Sequence, residues 1–296
     1  MKKIVIGTRG SRLALVQTYM VRDALLEHDP SLEIEVRVIK TKGDRFLQLA
    51  LDASGDKGLF TKELEQELLE GSIDMAVHSL KDLPVEPVAG ICVAALLPRE
   101  CTCDVLLGRR LEELGPGAIV GTSSRRRAYQ LRQHHPQLDI RPIRGNVETR
   151  IAKMRSGDYD AIVMAYAGLK RLGLEHEIAQ VLPIEVMVPA PGQGAIAVHT
   201  RAEDEALIRL LSKIHHHQTA LEVETERRLL SSLGGGCALP LGCLCQIEGS
   251  QARLEVFYAR EDGSEALHRS LSSSLEGLAE TLMALRNELL CLHEKR

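Results

Sequence analysis

Apolar runs of strand length alternate with segments of helical period from the start of the chain to about residue 214. That alternation limits the fold more than any other feature. Strands separated by helical crossovers pair in an open, mostly parallel sheet with helices on its faces. Residues 4–6 read as a first buried strand, and Ser11 is placed to cap a helix carrying Leu13, Val16, Met20 and Ala24 on one face. Residues 33–40 alternate Ile34, Val36 and Val38 with polar neighbours, the pattern of a strand. Residues 60–69 follow a helical period closed by Gly71, and strands are expected over 74–77, 91–96 and 104–107. After the turn Gly115-Pro116-Gly117 the layout recurs: strand 118–120, helix 125–133, strand 139–143, helix 146–155, strand 161–165. Beyond Gln193 come a strand (195–199), a helix (202–214) and a second helix (220–233) that stops at Gly234-Gly235-Gly236. The remainder gives strands at 244–247 and 254–258 and an amphipathic helix over 275–292. The expected class is α/β, with two doubly wound lobes followed by a small C-terminal α+β domain.

At 296 residues and 44% hydrophobic content, the chain can build more than one core. A net charge of −4, aromatics at 3% and no Trp argue against nucleic acid as a partner. The seven cysteines are irregularly spaced, which suits free thiols in a reducing compartment. The N-terminal apolar stretch stops at Gly7, short for a signal peptide, and no run approaches the ~20 apolar residues of a membrane span. A cytoplasmic protein with no membrane partner is expected.

The arginines fall where strands end. Arg9 follows the first strand; Arg125, Arg126 and Arg127 open a helix after Gly121-Thr122-Ser123-Ser124; Arg144 closes another strand, with Arg150 and Arg171 further on. In open α/β sheets the carboxyl ends of strands line the ligand crevice. Guanidinium forks grip carboxylates or phosphates, and helix N-termini add N–H donors. The substrate this implies is polyanionic. Asp82, in His78-Ser79-Leu80-Lys81-Asp82-Leu83-Pro84, is a strand-end carboxylate beside a lysine, suited to stabilising a cation or moving a proton. Cys237 follows three glycines that place it on an open turn, where a thiol can serve as nucleophile or anchor. No metal site is expected: His215-His216-His217 are adjacent on a helix and share no face, and Cys101-Thr102-Cys103 and Cys243-Leu244-Cys245 lack zinc-ribbon spacing. Gly192-Gln193-Gly194 is not a dinucleotide fingerprint. A non-catalytic, two-lobed anion-binding protein would also explain the arginines, but it would need neither Asp82 nor Cys237.

Eight motifs, in order, resemble those of porphobilinogen deaminases. They are Gly7-Thr8-Arg9-Gly10-Ser11-Arg12-Leu13-Ala14-Leu15, Lys57-Gly58-Leu59-Phe60-Thr61-Lys62-Glu63-Leu64, Ala76-Val77-His78-Ser79-Leu80-Lys81-Asp82-Leu83-Pro84 and Gly121-Thr122-Ser123-Ser124-Arg125-Arg126-Arg127. The others are Arg144-Gly145-Asn146-Val147-Glu148-Thr149-Arg150, Ala167-Gly168-Leu169-Lys170-Arg171-Leu172-Gly173, Pro191-Gly192-Gln193-Gly194-Ala195 and Gly235-Gly236-Cys237-Ala238-Leu239-Pro240-Leu241-Gly242. Arg125 departs from the family, where Leu is common at this position, and receives no role.

The resemblance implies two solute-binding-protein-like lobes: residues 1–97 with 195–214, and 98–194. A cofactor-carrying domain of residues 215–296 would follow. It implies a monomeric transferase that joins four porphobilinogens, with loss of ammonia, into hydroxymethylbilane. The primer is a dipyrromethane cofactor held by a thioether to Cys237. Asp82 would be catalytic. Arg126, Arg127, Ser123, Thr122, Lys81, Ser79 and Gln193 would hold the cofactor. Arg9, Ser11, Gln17, Arg144, Arg150, Arg171, Lys57 and Phe60 would bind substrate, and the loop of residues 41–58 would be a lid.

Overall fold

The computed structural model describes residues 3–41, 61–235, 239–260 and 262–294. In chain order the elements begin β1 (Ile4–Thr8), α1 (Arg12–His28), β2 (Ile34–Val38), α2 (Lys62–Leu69), β3 (Met75–Ser79) and β4 (Ile91–Leu96). There follow β5 (Asp104–Gly108), β6 (Ile119–Gly121), α3 (Arg125–His134), β7 (Asp139–Arg141), α4 (Val147–Arg155), β8 (Ala161–Ala165), α5 (Tyr166–Leu172) and β9 (Ile178–Val181). The last are β10 (Ile196–Arg201), α6 (Glu205–Leu211), α7 (His217–Ser232), β11 (Leu241–Glu248), β12 (Gln251–Ala259), β13 (Ala266–Ser274) and α8 (Leu278–Glu294). The chain divides into two units, Met1–Glu100 with Gly194–Ala220, and Cys101–Gln193 with Leu221–Arg296.

The first unit holds a sheet of order β2-β1-β3-β10-β4, and the second a sheet of order β7-β6-β8-β5-β9. The two orders match element for element. In each, the first three strands pair in parallel. The strand that enters from the other unit, β10 or β5, runs antiparallel to both its neighbours. The sheets are therefore mixed, where strand–helix alternation alone pointed to parallel ones. The reason is connectivity: β5 and β10 arrive without a helical crossover inside their own sheet, and only such a crossover enforces the parallel direction.

The correspondence extends to single side chains. Asp74, before β3, accepts the Val5 N–H at 2.9 Å, and Asp160, before β8, accepts the Ile119 N–H at 2.8 Å. Each carboxylate ties its third strand to its first.

Apolar side chains fill both faces of the first sheet. Ile6, Met75, Val77 and Ile196 pack with Val21 and Leu25 of α1 on one side, while Leu64 and Leu68 of α2 meet Ile73 and Ala76 on the other. Full burial of one such side chain stabilises by roughly 1.5–3 kcal/mol. The buried face of α1 is Gln17, Thr18, Val21 and Leu25; Leu13, Val16 and Ala24 are half-buried and Met20 is exposed. The expected apolar stripe is displaced because two polar residues find partners inside. Thr18 donates to the Ala14 carbonyl and Gln17 to Ser79, each at 2.8 Å.

In the second unit, Leu106, Val120, Leu131 and Val163 line one face of the sheet, and Val105, Leu107, Ile151 and Ile162 the other. The C-terminal sheet β11-β12-β13 is an antiparallel meander with Leu254, Val256, Phe257 and Tyr258 buried. Phe257 and Ala259 pack on Val188, and Pro189 accepts the Cys243 N–H at 2.9 Å. Gly242 is required here, since a Cβ on it would lie 2.7 Å from the Val188 carbonyl oxygen.

Candidate functional site

In the first unit, β1 and β3 are parallel neighbours, so their carboxyl ends share one sheet edge. Arg9 follows β1 directly, and Ser11 caps α1 by accepting the Ala14 N–H at 3.3 Å. Ser79 ends β3 and accepts from Gln17 Nε2 at 2.8 Å. Lys81 and Asp82 close the 3-10 turn Leu80–Asp82 that follows, Lys81 half-buried and Asp82 exposed. The fold thus brings Arg9, Ser11, Gln17, Ser79, Lys81 and Asp82 to one edge.

In the second unit, β6, β7 and β8 are parallel and their carboxyl ends form the equivalent edge. Thr122 and Ser123 follow β6 as Arg9 and Gly10 follow β1, and Ser124 caps α3 as Ser11 caps α1. Aligned by sheet register instead, Gly7-Thr8 at the end of β1 matches Gly121-Thr122 at the end of β6, a correspondence visible only once the sheets are aligned. The Ser123 hydroxyl donates to the Ile143 carbonyl at 2.8 Å, joining the loops after β6 and β7. Arg144 is exposed in the second of these loops. Arg150 Nε donates to the Gly145 carbonyl at 2.8 Å, and Arg171 lies in the last turn of α5.

Arg126 and Arg127 are enclosed, exposed by only 4% and 7%. Both converge on Asp104, the fully buried first residue of β5. Arg127 gives Nε and Nη2 to Asp104 Oδ1 at 3.1 and 2.6 Å, and Nη1 to the Val163 carbonyl at 3.1 Å. Arg126 Nη1 donates to the Val188 carbonyl at 2.6 Å and lies 2.8 Å from Asp104 Oδ2. Gln193, also buried, donates through Nε2 to Asp104 Oδ1 at 3.0 Å and to the Thr102 carbonyl at 2.6 Å. Burial pushes the Asp104 carboxyl up, but Arg126 and Arg127 outweigh it and hold the group well below the usual carboxylate range. Burial lowers Arg126, against the pull of Asp104.

Asp104 was not among the candidates from sequence. It opens an apolar strand, Asp104-Val105-Leu106-Leu107, and an acid at a strand start is ordinarily solvated. A second unanticipated group is His78, buried on β3 with its ring 5.1 Å from that of His199. Burial, His199 and Arg9 push it well below the ordinary histidine range.

Lys57, Phe60, Cys237 and all but Thr41 of the expected lid lie outside the described residues. No group of three or more metal-binding side chains occurs among the described residues. His215 Nδ1 accepts the Leu96 N–H at 3.3 Å, and His216 Nδ1 lies 2.8 Å from the Thr219 hydroxyl. A hydrogen bond to Cys101 and burial both push the Cys103 thiol up, away from thiolate chemistry. No helix among the described residues is long and apolar enough to cross a membrane.

Each unit holds a mixed α/β sheet with cationic side chains at the carboxyl ends of its parallel strands, an arrangement suited to anionic ligands. Residues 4–209 match the model of the porphobilinogen deaminase dipyromethane cofactor binding domain, and residues 220–288 that of the porphobilinogen deaminase C-terminal domain. The chain belongs to the porphobilinogen deaminase family. It is 48% identical to a porphobilinogen deaminase of Syntrophomonas wolfei over 90% of this chain and 88% of that one. It is 46% identical to that of a Roseiflexus species over 97% and 95%, and 40% identical to that of Clostridioides difficile over 94% and 93%. A solved substrate-binding domain of a putative amino acid ABC transporter from Streptococcus pneumoniae aligns at TM-score 0.44 and 13% identity over 77% of this chain and 96% of that one.

Proposed function

We propose that this chain is a hydroxymethylbilane-forming transferase of tetrapyrrole biosynthesis, joining four porphobilinogens head to tail with loss of ammonia. The observation that carries the reading is the family match across both parts of the chain. The strand-end placement of the cationic groups supports it.

A dipyrromethane cofactor fits the residues present. Each of its rings bears an acetate and a propionate, and the donor set that faces them is guanidinium, hydroxyl and helix N–H. Arg126 has donors at Nε and Nη2 that form no hydrogen bond among the described residues. When bound, the cofactor supplies the free pyrrole carbon from which the product grows. Cys237 is its anchor in this reading, beyond α7 in the sequence. Thr122, Ser123, Arg126, Arg127, Ser79, Lys81 and Gln193 hold or support it. Arg9, Arg144, Arg150 and Arg171 neutralise substrate carboxylates, with Ser11, Gln17, Lys57 and Phe60 completing the substrate contacts.

Asp82 is an exposed carboxylate at the end of the 3-10 turn Leu80–Asp82. Its negative charge stabilises positive charge developing on the pyrrole nitrogen and assists proton transfer to the departing amine. The lobes are residues 1–97 with 195–214 and residues 98–194, with 215–296 carrying the cofactor. The working form is a cytoplasmic monomer.

Because Asp82 is exposed, Asp82→Asn leaves stability within about 0.5 kcal/mol. It lowers the rate of ammonia release from porphobilinogen by roughly 100-fold or more. A variant with ordinary turnover overturns the role given to Asp82. A wild-type chain that consumes no porphobilinogen overturns the function.

A further inference from the structure

We propose that Cys101 and Cys103 form a two-electron redox site, closed to an intramolecular disulfide by hydrogen peroxide, and that closure weakens the hydrogen bond tying the Thr102 carbonyl to Gln193. The proposal stands apart from the deaminase reading and uses no part of it.

Three observations carry it. First, the two sulfurs already meet. The Cys103 S–H donates to Cys101, which brings the side chains together across Thr102. Two residues apart, their Cα atoms are separated by at most about 7 Å, the limit at which a disulfide can close. Second, the pair is open to a small oxidant. Cys101, Thr102 and Cys103 are half-buried in the irregular segment that leads into β5. Cys243 and Cys245 have the same spacing, but both are sealed within β11, whose backbone β12 holds along its whole length.

Third, the backbone around the pair is tied at long range. Gln193 Nε2 donates to the Thr102 carbonyl at 2.6 Å, and the Tyr166 N–H to the Cys103 carbonyl at 3.0 Å. The next residue, Asp104, is fixed in its buried charge cluster. Closing so short a ring draws the chain in at Thr102, against the bond from Gln193.

The hydrogen bond to Cys101, burial and the Asp104 charge keep the proton on Cys103. Cys101 is therefore the sulfur that reacts first. As a thiolate it attacks one oxygen of the peroxide, and the O–O bond breaks. A sulfenic acid forms, and the departing hydroxide takes up the proton Cys101 gave away, as water. The Cys103 sulfur then attacks the Cys101 sulfur. The S–O bond breaks, and the second hydroxide leaves with the Cys103 proton, again as water. Two thiols have lost two electrons, and the peroxide has become two waters.

The test uses the full-length chain, fully reduced, then exposed to hydrogen peroxide, denatured, alkylated and digested with trypsin. Mass spectrometry of peptide 100–109, which carries both cysteines, is expected to show no alkylation and a loss of two hydrogens, reversed by dithiothreitol. Cys103→Ser is expected to stop at the sulfenic acid, trapped on Cys101 by dimedone. In a glutathione redox buffer, Gln193→Met is expected to raise the disulfide-to-dithiol ratio roughly fivefold, since closure then breaks no bond to Thr102. A peptide 100–109 still alkylated at both cysteines, under peroxide that has oxidised the exposed Cys291, overturns the redox site. Disulfide formation with the same ratio in Gln193→Met and wild type overturns the coupling to Gln193.

Discussion

Gln193→Met tests how firmly the loop after Pro191 is tied to the buried charge cluster. Gln193 is 1% exposed, and its Nε2 serves two acceptors: the Thr102 carbonyl at 2.6 Å and Asp104 Oδ1 at 3.0 Å. Methionine keeps the length of the side chain and removes the donor. The bond to the neutral carbonyl contributes about 1 kcal/mol and the bond to the carboxylate about 1.5–3 kcal/mol. Methionine's apolar end recovers a fraction of this, so the net loss is about 3 kcal/mol. For a cooperative unit of this size, that lowers the melting temperature by roughly 6–12 °C. Scanning calorimetry, with urea unfolding as a second probe, measures it directly. Gln193→Glu should cost more, because it sets a second carboxylate against Asp104. A Gln193→Met chain melting within about 2 °C of wild type would refute the reasoning, since the two bonds would then contribute almost nothing.

Gly242→Ala drives a Cβ to 2.7 Å from the Val188 carbonyl oxygen and should cost about 1–3 kcal/mol in urea unfolding; an unchanged midpoint contradicts the close approach. His78 is buried, and its folded pKa lies well below the unfolded value near 6.5. Between those two values the unfolded chain binds more protons. Stability should therefore fall as pH drops below about 6.5, with His78 contributing up to about 1.4 kcal/mol per pH unit. His78→Leu should flatten that slope between about pH 6.5 and 5.5, and an identical slope in the variant counts against the assignment.

The helix–strand alternation revealed both lobes because the parallel strands are short, most of them are apolar, and helices separate them in the chain. Strand direction was another matter. β10 is buried along nearly its whole length, and such a run reads the same in either direction. β13 went unrecognised because its alternation carries mostly Ser, His and Arg, with little apolar signal on either face. Position relative to strand ends singled out the candidate arginines, but it could not separate enclosed from open ones. Arg125, Arg126 and Arg127 look alike in sequence; Arg125 is exposed while the other two turn inward. The partner that draws them in, Asp104, lies more than twenty residues away on an antiparallel strand whose pairing no local pattern encodes.

The central claim is that this chain builds its product on a pyrrole primer tethered to Cys237. Intact mass under denaturing conditions tests it most directly, on wild-type and Cys237→Ala chains from a cell that makes porphobilinogen. The account predicts a wild-type mass exceeding the sequence mass by two porphobilinogen-derived units, with no excess in Cys237→Ala. The same excess on both chains would move the anchor elsewhere. An unmodified wild-type chain that also gains no adduct when supplied with porphobilinogen would contradict the account.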